Sequence, residues 1–187
     1  RILDILQEHN ARATFFVLGN RVDNFPNIIQ REYSQGHEIG SHSFSHPQIT
    51  TLTSDEIEYQ FAETEHRIQQ YVPYTTKLVR PPYGQITQSL KEVLQKTFVL
   101  WSIDTQDWKT RDKDAIVSEV LNNVKDGDII LMHDMYSTTA DACEELIPAL
   151  IERGYQLVTV SELLNAKEIT PVAGSVYSRV LSTGNAA

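Results

Sequence analysis

Short apolar runs alternate with amphipathic stretches along almost the whole chain, and no other feature constrains the fold as strongly. Ala13-Thr14-Phe15-Phe16-Val17-Leu18, Lys77-Leu78-Val79-Arg80, Phe98-Val99-Leu100-Trp101, Asp128-Ile129-Ile130-Leu131-Met132 and Tyr155-Gln156-Leu157-Val158-Thr159-Val160 are the runs. Each suits a buried parallel strand, which reads as near-continuous apolar sequence. Between them, helical periodicity is predicted over 1–9, 24–35, 53–71, 87–95, 113–124 and 139–153, with a short helix from Ser161. Thr53-Ser54-Asp55-Glu56 supplies an N-cap with acid in the first turn, and Gly36 supplies a left-handed stop. Strand after strand alternating with helix predicts an α/β fold with a parallel sheet, closed or nearly closed as a (β/α) barrel.

With 187 residues and 41% apolar content, one domain with a large core is expected. A net charge of -9 leaves no basic stripe to neutralise phosphates, so nucleic acid is not expected as a partner. Cys143 is the single cysteine, which excludes an intrachain disulfide framework. No apolar run approaches the ~18 residues that a membrane-spanning helix needs.

Polar residues of chemical interest gather where apolar runs give way to loops. His42 and His46, Arg80 and Tyr83, Asp104 and Asp107, and His133 all occupy such positions. In a parallel barrel these C-terminal strand ends share the face that carries the active site. If Ser43 to His46 form one helical turn, His42 and His46 lie on one face and two imidazoles can converge on an ion. The alternative is that one imidazole caps a turn and the other is a polar core residue. A surface salt bridge is the plain alternative for Arg80, and core packing for Trp108 and Leu131.

His42-Ser43-Phe44-Ser45-His46-Pro47, Arg80-Pro81-Pro82-Tyr83-Gly84, Asp107-Trp108 and Leu131-Met132-His133 resemble successive motifs of the polysaccharide deacetylases, the NodB-homology domain of carbohydrate esterase family 4. The resemblance extends to about residue 165 and looks most like peptidoglycan N-acetylglucosamine deacetylases. It implies a distorted (β/α) barrel over 1–165, a 166–187 tail or edge cover, and a divalent metal, Zn2+ or another such as Co2+. It also implies removal of N-acetyl groups from a glycan partner. Chitin, chitooligosaccharides and acetylxylan are alternative substrates, and a catalytically silent glycan-binding module is the alternative of another class. An extracellular or cell-surface location is expected from the substrate.

Family members carry a Thr-Phe-Asp-Asp-Gly type motif on a first strand, which supplies the base and a third metal ligand. This chain has none, and its opening residues resemble the helix that follows that strand. An N-terminal segment of the same protein is therefore expected as a further partner, since catalytic zinc normally takes three protein ligands. Failing that, Asp107 or Asp134 would have to serve. By the resemblance, His42 and His46 hold the metal, Arg80 orients the base, and the Tyr83 N–H stabilises the oxyanion. His133 is the general acid, Asp107 is the neighbouring charge that keeps it protonated, and Trp108 and Leu131 wall the acetyl pocket. His37 is expected as packing, His9 and His66 as exposed helical positions, and Trp101 as core. Asp104 is expected either to contact the groove or to support its own loop, and Tyr136 is left as structural with sugar contact as the alternative, since a loop tyrosine is no evidence by itself.

Overall fold

The computed structural model describes residues 1–181, which divide into two compact units. Residues 182–187 of the expected tail lie outside the described residues.

One unit comprises Thr14–Leu100 and Thr170–Tyr177. Its strands β1 (Thr14–Val17), β2 (Glu38–Ser41), β3 (Leu78–Val79), β4 (Thr97–Val99) and β7 (Val176–Tyr177) form a parallel sheet in the order β1-β2-β3-β4-β7. Helices α2 (Gly19–Val22), α3 (Pro26–Ser34), α4 (Ser54–Gln69) and α5 (Gln88–Leu94) belong to it. Helix α3 begins on Pro26, whose missing N–H costs nothing at a helix start, and Gly36 follows at φ 78°. Helix α4 opens with a capping box in which Thr53 and Glu56 exchange hydrogen bonds. Its buried face, Ile57, Phe61, Thr64 and Ile68, follows the helical period. Ile57 and Phe61 pack with Ile49, Val79, Leu90 and Phe98, while Ile68 packs with Val22, Ile29, Ile39 and Val72. Residues 176–177, inside the segment expected as tail or edge cover, add the strand beside β4.

The other unit comprises Arg1–Ala13, Trp101–Ile169 and 178–181. Strands β5 (Ile103–Asp104) and β6 (Ile130–Leu131) pair in parallel, with Ile103 opposite Ile130 and Asp104 opposite Leu131. Helices α1 (Ile2–Glu8), α6 (Asp107–Thr110), α7 (Lys113–Asn123), α8 (Ser137–Glu152) and α9 (Val160–Ala166) complete it. Ile103, Ile116, Val117, Val120, Ala142, Leu146 and Leu150 form its core. Gly127 makes the turn before β6 at φ 86°, where a Cβ would lie 1.9 Å from the Val180 carbonyl oxygen, so only glycine fits.

The parallel α/β expectation is met, with local corrections. The 155–160 run forms no strand: the Arg12 N–H donates to the Leu157 carbonyl at 3.1 Å, and Thr159 and Glu162 form a capping box that turns the chain into α9. Tyr155 and Leu157 instead pack on the core of this unit. The ladder over 128–132 shrinks to Ile130–Leu131, and Asp128 instead forms an isolated antiparallel bridge with Arg179. His9 and Trp101 are half-buried, while His66 is exposed.

Candidate active site

The Thr14–Leu100 unit assembles His42, His46, Arg80 and Tyr83 at the ends of β2 and β3. The His42 N–H donates to the Val17 carbonyl at 2.9 Å, extending the β1–β2 ladder one residue past its last pair. Its Nδ1 lies 2.5 Å from the Arg80 carbonyl oxygen. A carbonyl only accepts, so Nδ1 carries the proton and the lone pair resides on Nε2, the state in which an imidazole ligates a metal.

The expected helical turn is absent. Ser43 and His46 take left-handed backbone, at φ 70° and 59°, and residues 42–48 are irregular. Such conformations cost on the order of 1–3 kcal/mol each and persist only where neighbours impose them. Here they do. Gln60 Oε1 accepts from the Phe44 and Ser45 N–H groups at 3.0 and 2.9 Å. Ser43 Oγ accepts from the His46 N–H at 3.0 Å, while the Ser43 and Phe44 carbonyls accept from Gly19 and Asn20. The loop brings the imidazoles to a centroid separation of 4.9 Å, and the His46 ring lies 4.7 Å from that of Tyr83. Tyr83 itself holds φ 57° in the turn after Pro81-Pro82.

Arg80 is buried, which removes the surface salt-bridge alternative. Its Nε and Nη2 donate to the Val99 and Leu100 carbonyls at 3.3 and 3.0 Å, and its guanidinium sits 4.3 Å over the Phe16 ring. Gly40 makes room for that ring, since a Cβ there would meet it at 2.5 Å. Burial pulls the Arg80 pKa down to about 10, so it remains cationic at neutral pH. A buried cation at a strand end suits a carboxylate partner.

In the Trp101–Ile169 unit, the pairing of Asp104 with Leu131 carries the two following loops out at the same end of β5 and β6. Asp107 is fully buried and accepts four hydrogen bonds. These come from His133 Nδ1 at 2.7 Å, the His133 N–H at 2.6 Å, the Trp108 N–H at 2.8 Å and Thr139 Oγ1 at 2.8 Å. Burial alone would push its carboxyl up, but the bonds from His133 and Thr139 outweigh this and hold it below the usual carboxylate range. With Nδ1 bound to Asp107, the His133 ring presents Nε2 as its other nitrogen. Leu131 is buried and Trp108 is 48% exposed.

Asp104 supports its own loop, its Oδ1 accepting from the Gln106 N–H at 2.9 Å. His37 is buried against the Phe15 ring edge at 5.3 Å. Two residues that hold these groups in place escaped the sequence reading, Gln60 and Thr139, because neither stands in a motif. Among the described residues no three His, Cys, Asp or Glu side chains gather as a metal cage. Asp107, its oxygens committed to four donors, is not a third ligand. The donor chemistry of His42 and His46 nonetheless fits a divalent ion that takes imidazole nitrogen.

A polysaccharide deacetylase family model matches residues 1–99. The chain is 45% identical over 168 residues to the peptidoglycan-N-acetylmuramic acid deacetylase PdaC of Bacillus subtilis, covering 90% of this chain and 36% of that protein. It is 39% identical to the peptidoglycan-N-acetylglucosamine deacetylase PgdA of Listeria monocytogenes, over 89% of this chain and 36% of the relative. It thus spans about a third of the length of either. A family 4 acetyl xylan esterase structure from Clostridium thermocellum, in complex with a cobalt ion, superposes with a TM-score of 0.91. That match is at 35% identity and covers 96% of this chain and 90% of the other.

Proposed function

Because the chain belongs to the polysaccharide deacetylase family, we propose that it removes N-acetyl groups from N-acetylglucosamine units of peptidoglycan at the cell surface. The observation that carries the reading is the Asp107–His133 pair, a buried carboxylate gripping one imidazole by both its ring and its backbone. His42 and His46 would hold a divalent ion such as zinc or cobalt, which when bound would supply positive charge to polarise the acetyl carbonyl and activate water. His133 carries a proton on Nε2 and gives it to the departing amine nitrogen, while Asp107 fixes the ring through Nδ1. The Tyr83 N–H donates to the oxyanion that develops as the carbonyl is attacked. Trp108 and Leu131 enclose the acetyl methyl and exclude water. Arg80 orients the carboxylate base. A carboxylate base and a third protein ligand are further requirements of this chemistry.

The test is acetate release in the presence of Zn2+ from peptidoglycan, N-acetylglucosamine oligomers and acetylxylan. Release from peptidoglycan in preference to the other two is expected. Preference for acetylxylan or for chitin-type oligomers would transfer the reading to those polymers. Glycan binding without release from any of the three would leave a silent binding module.

A further inference from the structure

We propose that Arg111 docks a carboxylate carried by the glycan beside the N-acetylglucosamine unit being deacetylated, so that the site favours acid-bearing polymers, of which those containing N-acetylmuramic acid are the type, over neutral amino-sugar polymers. The proposal deepens the deacetylase reading and rests on it. A protein with a net charge of -9 repels an anionic polymer unless a cation stands at the site, whereas a neutral polymer needs none.

Arg111 is that cation. It is exposed, and no described carboxylate pairs with it, unlike Arg1, Arg12, Arg67 and Lys113 in the same chain. It is also held firmly. Its N–H donates to the Asp107 carbonyl at 3.2 Å, and its Nε donates to the Trp108 carbonyl at 3.1 Å. Its guanidinium lies 3.5 Å over the Tyr136 ring, which is itself 6.2 Å from the His133 ring. Both anchors thus belong to the loops that carry Asp107 and His133. With Nε spent and one face on tyrosine, the two terminal nitrogens form a preoriented fork of the shape a carboxylate accepts.

The backbone argues that the side chain matters. Arg111 holds φ 51°, a conformation in which glycine is relaxed and arginine strained. If Arg111 merely terminated α6, glycine would serve better. Arg111→Gly therefore separates the roles, because it satisfies the turn and removes the cation.

The experiment measures kcat and KM for the zinc-loaded protein on N-acetylmuramic acid-containing oligosaccharides with the carboxylate free or converted to the amide. A parallel set carries peptide on that position, so the only free carboxylates are the peptide's. For wild type, KM is expected to be about tenfold lower for the acid than for the amide, and salt should erode the difference. In Arg111→Gly the ratio should fall to about one without loss of thermal stability, and Arg111→Lys should recover only part of it. Discrimination within the peptide set alone would still support an anion site and would place the carboxylate on the peptide. Retention of the full acid-over-amide ratio in Arg111→Gly would overturn the proposal, as would equal losses on acid and amide. If wild type releases no acetate from any glycan, the deacetylase reading fails separately. Binding titrations of the same acid and amide pair then decide Arg111: a difference that vanishes in Arg111→Gly supports the site, and equal affinities in wild type refute it.

Discussion

Asp107 accepts hydrogen bonds from both the ring Nδ1 and the backbone N–H of His133, at 2.7 and 2.6 Å, although 26 residues separate them. Two contacts to one residue leave the imidazole little freedom about the direction in which Nε2 points. Replacing Asp107 by Asn keeps the shape, removes the charge and puts an N–H₂ where an acceptor oxygen stood. Asp107→Asn should lower kcat by about 100-fold or more with little change in KM, and cost roughly 1–3 kcal/mol in stability. Steady-state kinetics and urea titration check both. A kcat within threefold of wild type would remove Asp107 from the mechanism.

Acid should weaken the fold through Asp107 and Asp128. Asp128 resembles Asp107 in that burial raises its carboxyl, but bonds from Ser102, Arg179 and the Lys125 N–H outweigh burial and leave it below 3.8. Since both folded values are depressed, the stabilisation is complete above about pH 3.8 and is lost as pH falls through the lower folded values. Urea midpoints measured from pH 5 to pH 2 should fall in that lower window. Asp128→Asn should start less stable at pH 5 and decline more shallowly. A variant curve parallel to wild type would refute the assignment.

Gln60 holds the histidine loop through the Phe44 and Ser45 N–H groups. Gln60→Ala should therefore weaken Zn2+ binding about tenfold, in the range typical of residues that orient ligands, while the protein remains folded. Calorimetric zinc titration reads the effect. Unchanged affinity would mean that the left-handed turns at Ser43 and His46 are maintained without this clamp.

Much of this fold is legible locally. Thr53 with Glu56, Pro26 and Gly36 mark helix ends by chemistry that needs only neighbouring residues, and α4 and α7 lie within a few residues of their expected spans. The 155–160 run misled because apolar content shows burial without showing what buries it. The histidine loop misled for a related reason. Spacing of four suggests a helical turn, but the turn geometry is imposed by Gln60, Gly19 and Asn20, partners at 15 residues or more. Thr139, which donates to Asp107 from 32 residues away, left no local trace at all. The polar residues that follow the strands are readable from the sequence, whereas the hydrogen bonds that orient them belong to the folded chain.

The central claim is a division of labour, with His42 and His46 for the metal and His133 for the proton. Zinc titration and acetate release should be measured in parallel on wild type, His42→Ala and His133→Ala. The account predicts that His42→Ala loses Zn2+ affinity by about 100-fold and activity with it, while His133→Ala binds Zn2+ within about threefold of wild type yet releases no acetate. Equal loss of zinc in both variants, or wild-type zinc affinity in His42→Ala, would contradict it.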